Sequence, residues 1–101
     1  MAKTPEAKVK SNVTGILKSH GAYFFYPFSG GFGVSGVPDI VGCVNGKFFG
    51  IECKAGTNKP TALQQHHLNS IELQGGYALL VNENNIDDVE KLMQQLTGES
   101  K

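Results

Sequence analysis

The sequence has no arginine, no tryptophan and only two cysteines, and none of its apolar runs is long. No run approaches the roughly 20 residues that a transmembrane helix requires, so we expect no membrane association. Cys43 and Cys53 are too few for a disulfide-stabilised secreted domain, and the first ten residues are too polar for a signal peptide. We therefore expect a reduced, cytoplasmic compartment.

The composition that remains is typical of a folded domain, with 101 residues, 40% hydrophobic and 18% charged. This length predicts a single domain over residues 1–101, whose small core leaves marginal stability and favours self-association. The net charge is zero, but residues 1–60 hold seven lysines and three acids, whereas residues 61–101 hold two lysines and six acids. A basic half is able to meet a polyanion, although chance explains such small numbers equally well.

Three helices are predicted from their start signals and apolar spacing. Thr4-Pro5-Glu6 is typical of a helix start, and Thr61-Ala62-Leu63-Gln64 matches a capping box. A third amphipathic helix is predicted over residues 87–96. The positions expected to be buried are Val9, Val13, Ile16 and Leu17 in the first helix, Leu63, His67, Leu68 and Ile71 in the second, and Val89, Leu92, Met93 and Leu96 in the third.

Four strands are predicted between these helices, over residues 22–26, 37–44, 47–54 and 77–81. Residues 29–36 form a glycine-containing loop, and residues 97–101 form a loose tail. The resulting order is αβββαβα, a mixed α/β sandwich. Asn45-Gly46 is the strongest short signal for a two-residue hairpin turn, and it joins the second and third strands.

This turn places three charged residues on one face of the hairpin. A two-residue turn at 45–46 sets Asp39 opposite Glu52, and Lys54 follows on the same face. Opposed carboxylates repel each other, so we expect Asp39→Ala and Glu52→Ala to fold at least as stably as the parent without metal. A divalent cation such as Mg²⁺ would resolve the repulsion, and a lysine beside it would act on the attacking water or the developing charge.

The alternative is an ordinary solvated face, with a Glu52–Lys54 neighbour pair and an exposed Asp39. A one-residue slip in register would also separate the two acids. Glu6 lies on the inward side of the first helix and would add a third carboxylate, although a first-turn acid equally stabilises the helix dipole. We expect Lys54→Ala to keep metal binding, because it removes no oxygen ligand, and to lose most of the reaction at the attacking water.

These residues carry a resemblance to a known family. Gly36-Val37-Pro38-Asp39, followed by Gly50-Ile51-Glu52-Cys53-Lys54, resembles the signature of PD-(D/E)XK nucleases, with 12 residues between Asp39 and Glu52. The Thr61-x-x-Gln64 motif, Gly75-Gly76 and residues 77–81 are similar to the VRR-Nuc branch. Residues 4–7 also resemble the start of its small phage-type members. The resemblance covers residues 4 to about 83.

The resemblance implies a restriction-endonuclease-like αβββαβα sandwich around a mixed central sheet, and DNA cleavage that depends on Mg²⁺ or Mn²⁺. By its motif, Asp39 and Glu52 are metal ligands, with the Cys53 backbone carbonyl as a third. Lys54 is the catalytic lysine, Glu6 the helix-borne acid and a further possible ligand, and Gln64 the downstream polar residue. It also implies a homodimer that cleaves branched DNA such as four-way junctions, in a bacterial or phage-infected cell.

Several other features carry alternatives. Gln64 is equally well explained by the capping box. Residues 29–36 lack the Gly-Lys-Ser/Thr of a phosphate-binding loop, so we expect no nucleotide cofactor. His66 and His67 are adjacent and cannot pair on one helix face, and the cysteines lack zinc spacing. The aromatic run at residues 23–26 is expected in the core rather than as a base-stacking platform.

Two rival functions remain open for the chain. One is a nuclease-fold module that binds nucleic acid without cleaving it, which incubation of branched DNA with Mn²⁺ would reveal. The other is a nucleotide-binding or regulatory α/β protein, which a nucleotide rather than DNA would stabilise against heat.

Overall fold

The computed structural model describes residues 3–28 and 33–98, and it shows seven elements in the predicted αβββαβα order. The first part of the loop predicted at 29–36 and the end of the tail predicted at 97–101 lie outside these residues. The elements are α1 (Pro5–Ser19), β1 (Tyr23–Phe25), β2 (Ile40–Val44), β3 (Lys47–Cys53), α2 (Ala62–Leu73), β4 (Tyr77–Val81) and α3 (Asp87–Thr97).

The four strands form one mixed sheet in the order β1-β2-β3-β4. The β1–β2 and β2–β3 pairs are antiparallel, and β4 runs parallel to β3. Asn45 and Gly46 both have positive φ, at 52° and 76°, as a tight two-residue turn with the twist of a hairpin requires. The pairing runs from Val44 opposite Lys47 to Ile40 opposite Ile51, so the predicted register is confirmed.

Helices cover the two faces of the sheet unequally. One face carries Ile40, Phe49, Ile51 and Cys53, all fully buried with apolar side chains of α1 and α3 in the main core. The opposite face is covered by α2, which packs on β3 and β4. Gly50 lies directly under α2, where a Cβ atom would come within 2.6 Å of the Ile71 side chain.

The predicted helix starts are confirmed. The Thr4 hydroxyl accepts a hydrogen bond from Ala7 N, and Pro5 occupies the first turn of α1. At α2, Thr61 and Gln64 form a complete capping box, in which each side chain accepts a hydrogen bond from the backbone N–H of the other residue. These interactions span three residues, which is why the sequence alone identified both starts.

Three expectations about burial and length are wrong. Leu63, predicted on the buried side of α2, is 47% exposed, and only Leu68 of that helix is fully buried. β2 begins at Ile40 rather than at residue 37. The aromatic run of residues 23–26 is largely outside the core. Of its four residues, only Phe24 packs against the core, and the other three, Tyr23, Phe25 and Tyr26, are exposed.

The aromatic side chains are exposed because of where β1 lies. β1 is a three-residue edge strand, and α2 covers only the far half of the sheet on that face. Tyr23 lies beside Cys43, which lies beside Phe48, so an exposed row crosses the sheet near the hairpin turn. We call Tyr23, Phe25 and Phe48 the open apolar face. Which helix covers which face is a tertiary property that periodicity does not contain.

Candidate active site

The candidate site lies at the end of the sheet farthest from the hairpin turn. Asp39 directly precedes β2, and Glu52 and Cys53 end β3. Asp39 Oδ2 accepts a hydrogen bond of 2.8 Å from Cys53 N, which joins the start of β2 to the end of β3. Lys54 N donates to Val81 O at 2.9 Å, so the end of β4 is part of the same edge. The hairpin register therefore brings the three predicted residues together.

Glu52 is the most deeply buried charged residue described, with 1% of its surface exposed. Its Oε2 lies 3.4 Å from Lys54 Nζ, whereas its Oε1 has no hydrogen-bond partner among the described residues. Burial, followed by the nearby charge of Asp39, raises the pKa of Glu52 to about 7 despite the opposing effect of Lys54. A carboxylate buried with a free oxygen costs stability, so a structural role alone does not explain it.

Lys54 is held against this carboxylate with only 15% of its side chain exposed. Its backbone hydrogen bond to β4 fixes the start of the side chain, and its ammonium group faces the glutamate. Lysine in this setting provides both a positive charge and hydrogen-bond donors beside the paired acids. The predicted neighbour relation between Glu52 and Lys54 is thus confirmed, and the solvated-face alternative does not hold for Glu52.

Lys10 belongs to the same cluster, and sequence reasoning missed it. Its Nζ lies 4.0 Å from Asp39 Oδ1 and 5.8 Å from the centre of the Tyr26 ring. Lys10 lies one turn after Glu6 in α1, so it shares the helix face that points toward the sheet end. That spacing of four residues was the signal available in the sequence.

Glu6 lies near enough for its charge to raise the pKa of Glu52, although its effect is the smallest of those that shift this pKa. The charge of Glu6 also contributes to the raised pKa of the Cys53 thiol. Within residues 3–28 and 33–98, however, no three His, Cys, Asp or Glu side chains are arranged to hold a metal ion. Glu6 therefore remains at the margin of the Asp39–Glu52 pair, and its role as a ligand stays a prediction.

Cys53 and Gln64 contribute differently from the acids. Burial raises the pKa of the Cys53 thiol to about 12, so this residue stays protonated and offers its backbone rather than its sulfur to the site. The amide oxygen of Gln64 is occupied by the capping box. A catalytic role for Gln64 and a ligand role for the Cys53 carbonyl both stay predictions.

The histidines of α2 follow the prediction only in part, since His66 is on the surface but His67 is not buried in the core. His66 is exposed, while His67 is half-buried with its Nε2 3.0 Å from the carbonyl oxygen of Ser35. This contact ties α2 to the residues that precede Pro38 and Asp39. The rings of His66 and His67 meet edge to face, at 5.8 Å between centroids.

A hard divalent cation fits the donor set at this end of the sheet. The acids Asp39 and Glu52 supply oxygen ligands of the kind that Mg²⁺ and Mn²⁺ prefer, and the unpartnered Oε1 of Glu52 is a buried acceptor that lacks a positive partner. The carboxylate repulsion that raises the pKa of Glu52 is the repulsion that a cation would neutralise.

Comparison with protein-family models and with curated proteins finds no match to this sequence. The site is therefore interpreted from its own geometry. Among residues 3–28 and 33–98, no helix is both long enough and apolar enough to span a bilayer.

Proposed function

We propose that this protein is an endodeoxyribonuclease that depends on Mg²⁺ or Mn²⁺ and hydrolyses phosphodiester bonds in branched DNA such as four-way junctions. The observation that supports this best is the buried Glu52 carboxylate. One of its oxygens faces Lys54, and the other has no hydrogen-bond partner within residues 3–28 and 33–98. Asp39 is fixed next to Glu52 by the Cys53 amide. A carboxylate pair with an adjacent lysine suits hydrolysis at a phosphate.

Each residue has a part in this proposal. Asp39 and Glu52 would hold the cation, which when bound polarises a phosphoryl oxygen and offsets its charge. Hydrolysis joins a water oxygen to phosphorus and breaks the bond to the bridging oxygen, which leaves with a proton. Lys54, whose ammonium group lies 3.4 Å from Glu52 Oε2, donates hydrogen bonds to the attacking water or to the phosphoryl oxygens as their charge increases.

The partners of this proposal are DNA and a second copy of the chain. Without arginine, phosphate contacts depend on lysines such as Lys8, Lys10 and Lys59, which are exposed or partly exposed. A single chain provides one site, whereas a symmetric junction needs two cuts, so we propose a two-fold dimer. The open apolar face supports self-association, because Tyr23 is 68% exposed, Phe25 50% and Phe48 47%.

A cleavage panel tests this function. Labelled duplex, flap, splayed-arm and four-way DNA are incubated with the purified protein in Mn²⁺, in Mg²⁺ and in a chelator. We expect cleavage of the branched substrates in the two metal ions alone, and none by Glu52→Gln prepared in the same way. Binding of DNA without cleavage by the parent would instead identify a catalytically silent nuclease-fold module. Absence of both would reject the proposal.

A further inference from the structure

Tyr26 is an exposed aromatic residue that contacts Lys10, the lysine next to Asp39. It follows β1, and 56% of its surface is exposed. Its ring meets the Phe24 ring edge to face, at 6.4 Å between centroids, and Phe24 is packed against the core. The ring is therefore anchored from one side by the fold while much of the residue remains accessible.

Lys10 links this ring to the candidate site. The same ammonium group lies 5.8 Å from the centre of the Tyr26 ring and 4.0 Å from Asp39 Oδ1. A cation over an aromatic face is attracted by the ring electrons, which orients both side chains. The Lys10 ammonium group therefore lies between the exposed Tyr26 ring and Asp39, which is a proposed metal ligand.

An aromatic ring next to a lysine matches the chemistry of one nucleotide in an unpaired strand. Bases of single strands stack on aromatic side chains, while lysines contact the phosphates between them. We propose that Tyr26 and Lys10 form a stacking site for an unpaired DNA base adjacent to the phosphate that is cleaved. This inference rests on the proposed function, which supplies DNA as the substrate. It specifies further that the DNA strand is unpaired where it contacts Tyr26.

This assignment predicts a substrate preference. In a continuous duplex each base is stacked on its neighbours, and moving it onto a side chain costs the unpairing energy. A nucleotide at a branch point, in a splayed arm or in a flap has already lost that pairing. Tyr26 therefore selects substrates whose strand is open next to the cut over uninterrupted duplex.

The test compares two strands that differ only in their bases. A labelled oligothymidylate and an abasic strand of equal length are titrated with the protein in a chelator, and binding is followed by fluorescence anisotropy. We expect the parent to bind the base-bearing strand roughly 5- to 100-fold more tightly, the range that stacking of one base supports. Tyr26→Leu should lose this difference and bind both strands alike.

Two matched variants serve as controls. Tyr26→Phe keeps the ring and should keep the preference for bases. Tyr23→Leu removes another exposed tyrosine, which lies beside Cys43 at the opposite end of the sheet from Asp39. Leucine keeps this position of the open apolar face apolar, so the variant should also keep the preference for bases. Thermal melts establish that each variant is folded. The base preference of the parent protein is measured without any variant, so this part of the test does not depend on how the variants fold.

The outcomes separate this proposal from the nuclease itself. Equal binding of both strands by the parent, or an undiminished preference in Tyr26→Leu, overturns the stacking site even where junctions are cleaved. A base preference that depends on Tyr26 supports the stacking site even where no cleavage occurs, since the assay contains no metal. Failure of cleavage with retained stacking rejects only the proposed hydrolysis.

Discussion

Lys54 Nζ lies 3.4 Å from one oxygen of the Glu52 carboxylate, and the other oxygen of that carboxylate has no partner among the described residues. One lysine therefore compensates only part of the cost of burying this charge. Asp39 increases the cost, because the Cys53 amide keeps it close to Glu52. A fold selected for stability alone would place an apolar residue at the end of β3, so the arrangement supports the proposal that this site binds a ligand.

The burial of Glu52 predicts a dependence of stability on pH in the metal-free protein. Because the pKa of Glu52 is raised from 4.5 to about 7, the folded state binds its proton more tightly than the unfolded state does. This contribution to the unfolding free energy is present below pH 4.5, is lost as the pH rises to about 7, and stays lost above. Its size is at most about 3 kcal/mol.

Glu52→Gln tests this dependence directly, since glutamine does not titrate. The stability of the variant relative to the parent should increase between pH 4.5 and about 7 and then level, as measured by denaturant unfolding in a chelator. Any constant offset from the amide leaves the slope unchanged. Glu72→Gln, a substitution at an exposed position of α2, is the matched control and should track the parent. A difference that does not vary with pH contradicts the burial of an ionisable Glu52.

Asp39→Ala and Asp39→Asn should differ in stability, although both should lose metal binding and cleavage. The Asp39 side chain accepts the hydrogen bond of Cys53 N, so Asp39→Ala leaves a backbone donor unpaired at a cost of about 1–3 kcal/mol. Relief of the repulsion with Glu52 offsets only part of this. The expectation that Asp39→Ala folds as stably as the parent is therefore replaced by a predicted loss of stability.

Asp39→Asn keeps a carbonyl oxygen for Cys53 N and should retain a melting temperature near that of the parent. It lacks the negative charge, so Mn²⁺ binding by calorimetry and junction cleavage should both be lost. The contrast between the two variants separates the structural hydrogen bond from the ligand role. Equal melting temperatures for Asp39→Ala and Asp39→Asn would show that the hydrogen bond contributes nothing.

The hairpin and the helix starts were predictable because they depend on neighbours in sequence. Asn45-Gly46 alone determined the register that brings Asp39 beside Glu52, and the Thr61–Gln64 capping box lies within four residues. Exposure was harder to predict, since it depends on which element covers each face. Leu63 has helical spacing yet is exposed. The four-residue spacing from Glu6 places Lys10 on the same side of α1, but its contact with Asp39 depends on how α1 packs against the sheet end, which no local pattern encodes.

The open apolar face predicts the oligomeric state. We expect a dimer mass at micromolar concentration by light scattering, because an exposed aromatic row of this kind favours association. Tyr23→Glu should shift the protein to a monomer, since it places a charge in a desolvated contact. Leu73→Glu changes a side chain that is 84% exposed on α2 and should remain dimeric. A monomeric parent that cleaves junctions fully would exclude the dimer.

Lys54→Ala tests the chemistry of the site. The substitution removes no oxygen ligand, but it removes the cation that lowers the pKa of Glu52, so this pKa should rise further above 7. Mn²⁺ binding should therefore weaken at neutral pH and recover at a higher pH, where Glu52 is ionised again. This replaces the expectation from the sequence that Lys54→Ala keeps its metal binding. Cleavage should stay reduced by roughly 10²–10³-fold even there, because the donor to the attacking water or phosphate is absent.

Lys59→Ala is the matched control, since it removes a lysine from the exposed loop that follows the site. It should bind Mn²⁺ and cleave nearly as the parent does, with a small loss of DNA affinity that increases at low salt. The decisive measurements are calorimetric Mn²⁺ titration and junction cleavage, each at both pH values. Recovery of metal binding by Lys54→Ala without recovery of cleavage assigns Lys54 to the chemical step. Full cleavage by this variant would mean that the reaction occurs elsewhere on the protein.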